Sequence, residues 1–328
     1  KGEEKAVHNA SVFLGNDSYL LDVLNGSEDG DLYVRFHAVQ LVMKLLARAR
    51  RQTQAAMLNQ PATVGRVLSL AEDRREIVRN EVLLLLAKLG VGSSGLQNIM
   101  AFQGAFDQLL GIIESEGSEE GGLGSVIVHD CLRIACTLLE SPASCRFFRE
   151  SGCLQRMMAL LALPPHHNKG HATSATLACE LLGCLLVEST MSKDGGGEGD
   201  EEGEEGVQAE IDARVTEDIG ATQASLVKLR VIPLLVYLCT DAATATDPAL
   251  RLQALGTLAE LMRGHPLGAD EFLATRVTRK AGGETVSESA AYRILYTGIR
   301  SSSSALRSTT VHLFKCLLQG NSAAQLAA

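Results

Sequence analysis

The chain contains no tryptophan and few aromatic residues of any kind. Aromatic residues make up 4% of its 328 residues, whereas hydrophobic residues as a whole make up 46%. Much of that apolar content is leucine and alanine. Segments of alternating polarity bounded by turn residues, which are typical of β-strands, are nearly absent. An apolar composition of this kind predicts close packing of helices rather than sheets.

Long apolar runs, basic clusters and a disulfide framework are also lacking. No stretch approaches the roughly 18 uninterrupted apolar residues needed to span a bilayer, so we expect only indirect contact with membranes. Binding to nucleic acid or to an anionic membrane surface requires lysines and arginines clustered on one face. The sequence does not suggest such a cluster. The chain has eight cysteines but no CxxC pair and no signal peptide, which favours an intracellular location. We predict that four cysteines in apolar helical segments are reduced core residues, namely Cys131, Cys136, Cys179 and Cys184.

Motifs that carry catalysis or bind metal ions are absent or unconvincing. No nucleophile elbow, phosphate-binding Walker loop or HExxH sequence occurs. The GxGxxG spacing of Gly90–Gly95 follows a leucine-rich helix rather than a strand, so we predict a turn in which glycine ends one helix and serine caps the next. No cysteine or carboxylate lies near His166, His167 and His171, so we predict an exposed loop there. The sequence therefore predicts a protein that is not an enzyme and has no cofactor or metal.

The chain does contain a repeated helical phrase, an apolar residue followed by a basic one, with a leucine eleven residues after the apolar residue. The copies are Val34-Arg35…Leu45, Val78-Arg79…Leu89, Val128-His129…Leu139, Leu250-Arg251…Leu261 and Leu306-Arg307…Leu317, with a degenerate copy at Ser174-Ala175…Leu185. Without two apparent insertions the period is about 45 residues, which suits armadillo or HEAT repeats. The predicted fold class is all-α, an armadillo/HEAT-like superhelical repeat array, or α-solenoid.

We predict one elongated repeat domain over residues 1–328, with about six repeats. Its third helices are expected near 33–47, 76–90, 126–140, 172–187, 249–263 and 305–319. Residues 192–220 are predicted to be a disordered acidic insertion, and residues 278–288 a smaller loop insertion. Residues 194–218 alone carry eleven acidic side chains and one arginine, so that the remainder of a chain of net charge −9 carries about +1. The repeat body is thus close to neutral.

The recurring arginines allow two hypotheses. Arg35, Arg79, Arg251 and Arg307 occupy the same turn of successive third helices. In the first hypothesis the row is a ladder that binds a ligand. In the second, each arginine is a structural marker of register and bonds a carboxylate or a helix-end carbonyl in its own or the preceding repeat. We favour the structural role because long charged side chains commonly cover apolar surface. The predicted protein-binding surface then lies beside the arginines, at Asn80, Glu81 and Asp130.

Three phrases between residues 75 and 161 resemble a known family. They are Ala-Phe-x-x-Ala-Phe at 101–106, Val-x-Asp-Cys-Leu at 128–132, and Phe-Phe-x-Glu followed by Gln-Arg-Met at 147–157. In this order and spacing they resemble the globular head of general vesicular transport factors, long coiled-coil tethers of the golgin type that act between the endoplasmic reticulum and the Golgi apparatus. The resemblance implies an armadillo-like head that dimerises and a coiled-coil tail, which this chain does not contain.

The resemblance also implies partners and a location. The expected partners are a Rab-family GTPase, SNAREs and golgins, and the expected location is cytoplasmic, peripheral on Golgi and ER–Golgi transport membranes. We therefore predict a non-catalytic interaction scaffold, the head fragment of a vesicle tether.

Two alternatives remain open. One is an armadillo-type cargo or adaptor-binding protein unrelated to tethering; nuclear import receptors of this type use a ladder of tryptophan and asparagine on their third helices, and this chain has no tryptophan. The other is an enzyme whose residues converge only in three dimensions.

Overall fold

The computed structural model describes residues 2–15, 19–25, 31–117, 122–161, 169–187, 216–241, 247–281, 284–319, 321 and 325. The chain divides into two compact units, Lys1–Cys153 and Leu154–Ala328. Each unit is built of helices that bury an apolar stripe against neighbouring helices.

The first unit is helical throughout its described residues. Its helices are α1 (Gly2–Leu14), α2 (Tyr19–Asn25), α3 (Leu32–Asn59), α4 (Pro61–Leu70), α5 (Glu76–Leu89), α6 (Ser94–Phe102), α7 (Ala105–Gly117), α8 (Val126–Leu138) and α9 (Pro142–Glu150), with a 3₁₀ turn at Gly122–Gly124. The helices α3, α5 and α8 lie at three of the predicted third-helix positions, and α5 packs against both of the others.

The central helix α5 shows why the phrase repeats. Val78, Val82, Leu85 and Leu89 are spaced three or four apart along the helix, with Leu86 beside them, and all five are almost completely buried. A single helix cannot bury so broad an apolar stripe by itself, so helices on both sides must cover it. Burying a leucine or valine side chain stabilises a fold by about 1.5–3 kcal/mol.

The turn after α5 is the one that the glycine and serine spacing predicted. Gly90 is the C-terminal cap of α5, and the Ser93 hydroxyl caps α6 by accepting a hydrogen bond from the Leu96 amide at 3.4 Å. Gly92 between them has a φ of 70°, a conformation that favours glycine. The GxGxxG spacing is therefore a helix–turn–helix connection.

Helix α3 is longer than predicted. It continues past residue 47 to Asn59, with one non-helical residue, Ala49 (φ −142°, ψ 53°), at a kink where two helices join. No glycine or proline lies between Leu45 and Asn59 to separate the two helices, and Pro61 instead opens α4. The first helix of the next repeat therefore follows the third helix of the previous one without a loop.

Two buried glutamines cap the C-terminal end of α5. Gln54 Nε2 on α3 donates to the carbonyl oxygens of Leu89 at 2.9 Å and Val91 at 3.1 Å. Gln97 Nε2 on α6 donates to the Gly90 carbonyl at 2.9 Å and to Glu140 Oε2 at 3.0 Å. Because the last carbonyls of a helix have no partner within it, these amides satisfy groups that would otherwise be buried and unpaired.

The second unit repeats the same arrangement. Its elements are α10 (Cys153–Leu161, whose first residue closes the first unit), α11 (Lys169–Leu186), α12 (Thr216–Lys228), α13 (Val231–Thr240), α14 (Pro248–Met262), α15 (Pro266–Ala274), β1 (Arg276–Ala281), β2 (Glu284–Ser289), α16 (Ala290–Ile299) and α17 (Ser304–Leu318). Helix α14 packs between α11 and α17. Here Gln223 Nε2 on α12 donates to the carbonyls of Glu260 and Arg263, both at 2.9 Å, at the end of α14.

The prediction of a loop at residues 278–288 is wrong, because the segment forms part of an antiparallel hairpin. Strands β1 and β2 pair from Arg276 opposite Ser289 to Ala281 opposite Glu284, and the hairpin packs on α16. Cross-strand contacts hold it, including an ion pair of 3.1 Å between Arg279 Nε and Glu288 Oε1. The β-branched residues on either side of Gly282-Gly283 are a hairpin signal that the polar composition concealed.

The acidic insertion ends earlier than predicted. Residues 192–215 lie outside the described residues, but residues 216–220 are the first turn of α12. Glu217 and Asp218 lie in that turn, where negative charge interacts favourably with the positive end of the helix dipole. These two acidic residues are therefore part of a helix start and not of the charged run that precedes them.

Helices occupy all six predicted third-helix ranges, as α3, α5, α8, α11, α14 and α17. The organisation of residues 1–328 into a single domain of six repeats stays a prediction. Within the described residues no single helix has the length and apolar character to cross a bilayer, although α12 and α13, bent by 75°, meet those criteria as a pair.

Close packing of α16 on α17 makes Gly298 sensitive to substitution. A Cβ at this position would overlap the side chain of buried Thr310, whose hydroxyl donates to the Leu306 carbonyl at 2.7 Å. We expect Gly298→Ala to lower the free energy of unfolding by about 1–3 kcal/mol in urea denaturation. Gly256→Ala on α14 is the matched control: its Cβ would meet no atom within 4 Å, so it should raise stability by about 0.5–1 kcal/mol. Equal effects of the two variants would contradict the packing argument.

Candidate protein-interaction surface

Two of the recurring arginines meet at one aspartate in the first unit. Arg35 Nε on α3 lies 2.6 Å from Asp73 Oδ2 in the turn before α5, and the exposed fractions of the two side chains are only 15% and 8%. Arg79 on α5 donates from Nη1 to the backbone carbonyl of the same Asp73 at 3.1 Å. The carboxylate also accepts from the Arg75 amide at 2.8 Å. The start of α5 is thereby joined to the third helix of the preceding repeat.

The arginines of the second unit make comparable contacts. Arg251 on α14 donates to the Thr297 hydroxyl on α16 at 2.6 Å. Arg307 on α17 donates to the carbonyls of Ser301 at 2.7 Å and Ser302 at 3.0 Å, in the turn before its own helix. The prediction placed the partner groups in the same or the preceding repeat. Arg79 and Arg307 do bond groups of their own repeat, whereas the partners of Arg35 and Arg251 lie in the following repeat.

These contacts are of the kind that a structural role requires, because each guanidinium bonds a carboxylate, a hydroxyl or backbone carbonyls close to its own helix. Arg35 and Arg79 are both half-buried beside the seam between helices. Their role as markers of register stays a prediction that a stability measurement can decide.

The outward face of α5 combines apolar and polar side chains. Ile77 and Leu84 are 54% and 44% exposed, and Asn80 and Glu81 lie between them on the same face. The Asn80 Oδ1 atom is buried and has no hydrogen-bond partner. We call Ile77, Asn80, Glu81 and Leu84 the α5 face. Exposed apolar side chains that share one face of a helix are typical of a surface that a protein partner covers.

The neighbouring third helices continue this pattern. Asp130 on α8 follows His129 as Asn80 follows Arg79, so the two predicted residues lie at equivalent positions on helices that pack together. Asp130 Oδ1 accepts from Arg133 at 3.2 Å and is half-buried. Exposed apolar residues stand at the start of both flanking helices, Tyr33 on α3 at 69% and Val126 on α8 at 71%.

Sequence reasoning named only the polar members of this surface. It missed the exposed apolar residues, although a signal for some of them was present. In the first three copies of the phrase an apolar residue stands immediately before the valine, as Tyr33, Ile77 and Ile127. A second apolar residue next to a buried one on a helix points about 100° away from it, and so towards the edge of the buried stripe.

Burial raises the pKa of three cysteine thiols in the core. Burial raises the pKa of the Cys131 thiol to about 12, and the negative charges of Asp130 and Glu116 contribute to that rise. Burial alone raises the pKa of Cys179 to about 12, and burial is the main cause of the raised pKa of Cys239. These thiols stay protonated at neutral pH. Of the four cysteines predicted in the core, Cys131 and Cys179 are buried, whereas Cys136 and Cys184 are half-buried.

The three histidines of the predicted loop are only partly described by the structure. His166 and His167 lie outside the described residues, and His171 lies on α11. In the part of the chain that the structure describes, no three His, Cys, Asp or Glu side chains are grouped closely enough to hold a metal ion.

The known proteins that the chain resembles in sequence include transport factors and a golgin. No protein-family model matches it. The chain is 29% identical over 263 residues to the human "General vesicular transport factor p115", a match that covers 80% of this chain and 24% of the relative. Over these residues the chain is similar to a vesicular transport factor. It is also 38% identical over 117 residues to "Golgin candidate 6" of Arabidopsis thaliana, covering 36% of this chain and 12% of that protein.

The fold agrees with that relationship. A crystal structure of Uso1-2 superposes on 97% of this chain with a TM-score of 0.79 and 20% identity, and the match covers 45% of the crystallised chain. At this identity the likeness supports the fold alone. The chain spans about a quarter or less of the length of p115 and of the Arabidopsis golgin. The predicted resemblance and the predicted all-α, armadillo-like class are both confirmed.

Removal of the arginine at the start of α5 tests its structural role. We expect Arg79→Ala to lower the free energy of unfolding by about 1–2 kcal/mol, because the partly buried Asp73 carbonyl loses a charged donor. The matched control is Arg133→Ala on α8, whose exposed pair with Asp130 should contribute less than about 0.5 kcal/mol. Urea denaturation measures both. Unchanged stability of Arg79→Ala combined with lost partner binding would favour the ligand-ladder hypothesis instead.

Proposed function

We propose that this chain is a non-catalytic protein-interaction scaffold, the head portion of a tether for vesicles that move between the endoplasmic reticulum and the Golgi apparatus or within the Golgi. The observation that carries the proposal is the similarity to p115 over 80% of the chain. The chain matches only about a quarter of that relative, so the activity of a whole tether is part of the proposal.

The absence of catalysis is also proposed and rests on the names of the homologues. These describe transport factors and golgins rather than enzymes. The described residues suit such a role, because helical repeats present extended surfaces to protein partners.

The docking surface that we propose is the α5 face together with Asp130. Ile77 and Leu84 supply apolar area, while Glu81 and Asp130 supply acceptors for donors on the partner. Interfaces commonly combine a few apolar anchors with polar groups around them. We propose a Rab-family GTPase as the occupant of this surface, with SNAREs and golgins as further partners of the assembled tether and a homodimer as its oligomeric state.

The same proposal gives a location. A tether that binds a membrane-anchored GTPase is peripheral on the cytoplasmic side of Golgi and ER–Golgi transport membranes. The membrane contact is then indirect and made through the partner.

Affinity measurements with nucleotide-locked Rab proteins test the proposal. We expect the chain to retain a Rab of the ER–Golgi route in its GTP-locked form and not in its GDP-locked form. Ile77→Asp and Leu84→Asp should each weaken that binding by about thirtyfold or more. A charge placed in a buried apolar contact makes the free energy of binding less favourable by about 2 kcal/mol or more. Biolayer interferometry measures the dissociation constants.

A control variant separates the α5 face from exposed apolar residues in general. Leu267→Asp on α15 in the second unit changes a side chain that is 68% exposed, and it should leave Rab binding unchanged. Failure of the unaltered chain to bind any Rab, SNARE or golgin would overturn the tethering proposal and would favour an unrelated adaptor.

A further inference from the structure

The hairpin of the second unit has two outer edges, one on each strand. Strands β1 and β2 form a sheet of two strands, so each has one neighbour and one free side. Within the described residues no third strand pairs with either side. The backbone N–H and C=O groups along the free side of a strand are a template for pairing with another chain.

The register of the hairpin determines which backbone groups point outward. Opposite residues in an antiparallel pair alternate between hydrogen-bonded pairs and pairs whose N–H and C=O groups point away from the neighbouring strand. The Ala290 amide donates to the carbonyl of Thr275 at 3.0 Å, and these two residues continue the register of the strands, so the alternation can be counted from them. The pairs whose backbone groups point outward are then Arg276 with Ser289, Thr278 with Ser287, and Lys280 with Thr285.

Protein groups close the outer edge of β2. Arg276 Nη2 donates to the outward-pointing carbonyl of Ser287 at 3.0 Å, and Arg276 Nε donates to the Ser287 hydroxyl, also at 3.0 Å. At the end of the strand the Ser289 hydroxyl accepts from the Tyr292 amide in the first turn of α16. A further strand could pair with β2 here only by displacing the Arg276 side chain.

The outer edge of β1 is open. Among the described residues no group bonds the outward N–H or C=O of Thr278 or of Lys280. Thr278 and its neighbour Arg279 are both exposed. Because the strand already holds these backbone groups in position, an extended chain can add to β1 without a rearrangement of the hairpin.

Charge indicates what kind of chain would add to this edge. Strand β1 carries Arg276, Arg279 and Lys280 and no carboxylate. One carboxylate on β2 serves two arginines, since Glu288 Oε1 lies 3.1 Å from Arg279 Nε and 3.6 Å from Arg293 Nε on α16. Pairing of β1 with β1 of a second copy would bring like charges together, which destabilises a strand pair. A strand that carries carboxylates has the complementary charge.

We propose that the outer edge of β1 binds an extended acidic segment of a partner polypeptide, which adds to the hairpin as a third strand. The outward backbone groups of Thr278 and Lys280 bond the backbone of the segment, and its carboxylates lie beside the cations of β1. The proposal rests on the proposed scaffold function in one respect, that the ligand belongs to a protein partner. The edge is a separate site from the α5 face, which lies in the first unit.

Amide hydrogen exchange on the 328-residue protein tests the backbone pairing directly. The probe is a short blocked peptide of alternating glutamate and valine, with an expected dissociation constant on the order of 0.1–1 mM. At about ten times that concentration it should slow exchange of the Thr278 and Lys280 amides about tenfold. The amides of Val277 and Arg279, which already bond β2, should change less. Binding that leaves the Thr278 and Lys280 amides unprotected would overturn the proposal, as would no binding.

The charge requirement is tested with a matched peptide. Replacing every glutamate by glutamine keeps the length and the extended shape of the peptide and removes its charge. We expect this peptide to bind at least about fivefold more weakly, with the difference reduced at high salt. Equal protection of the Thr278 amide by the two peptides would contradict the assignment of an acidic segment.

Proline variants distinguish the two edges of the hairpin. Thr278→Pro removes an outward N–H from β1 and should abolish binding of the glutamate peptide, whereas Thr285→Pro removes an outward N–H from β2 and should leave it unchanged. Proline is tolerated where the N–H of an edge strand faces solvent, so the bonds between the strands should persist in both variants. Retained protection of the Arg279 amide checks this. Equal binding by both variants, or loss of binding in Thr285→Pro alone, would overturn the proposal.

Two further measurements separate this inference from its alternatives. Sedimentation equilibrium tests the second copy as occupant, and self-association that Thr278→Pro abolishes would overturn the assignment to a partner. Rab binding by the unaltered chain without protection of the Thr278 amide by the peptide would support the scaffold and refute the edge site. Protection of that amide without any Rab binding would support the edge site and count against the proposed function.

Discussion

Every part of the described structure depends on burying the apolar stripe of the third helices. In α5 this stripe consists of Val78, Val82, Leu85 and Leu89, with Leu86 beside them, and none can be covered by the helix that carries them. The stripe is covered because α3 and α8 pack on either side, and α14 is covered in the same way by α11 and α17. Stability in such a fold is approximately the sum of contributions within repeats and between neighbouring ones.

Polar groups at the ends of these helices join them to neighbouring helices and turns. Gln54 and Gln97 bond the carbonyls at the end of α5, and Gln223 does the same at the end of α14. At the other end of α5, Arg35 and Arg79 both engage Asp73. Apolar packing by itself is not directional, whereas hydrogen bonds and ion pairs have preferred geometries.

The surface left by this packing has two distinct chemical characters in the first unit. Apolar side chains with an unpaired amide oxygen form the α5 face. Three carboxylates, Glu72, Asp107 and Glu116, line an open cavity beside α7. Arg79 lies between the two regions, because it is the residue before Asn80 and also lines the cavity.

The positions of the six long helices could be predicted because the phrase repeats with helical spacing and each copy carries its own leucines. Helix ends were predicted less well, as α3 and α12 show, because kinks and first-turn charges depend on only a few residues. The hairpin at Arg276–Ser289 was missed because its β-branched residues are embedded in a polar segment. Asn80, Glu81 and Asp130 could be named from their helical positions, but Ile77 and Leu84 were overlooked because apolar side chains in a helix are normally assigned to the core.

By itself the sequence determined the all-α repeat class and the resemblance to vesicular transport factors, since both depend on local spacing and on short phrases. Only the tertiary structure decided the partners of the arginines, the glutamines that cap helix ends, and the cavity. Those features join residues such as Arg35 and Asp73, or Gln223 and Glu260, that lie 37 or more positions apart in the chain. Contacts over such distances follow from how helices stack, and no local pattern of residue types encodes them.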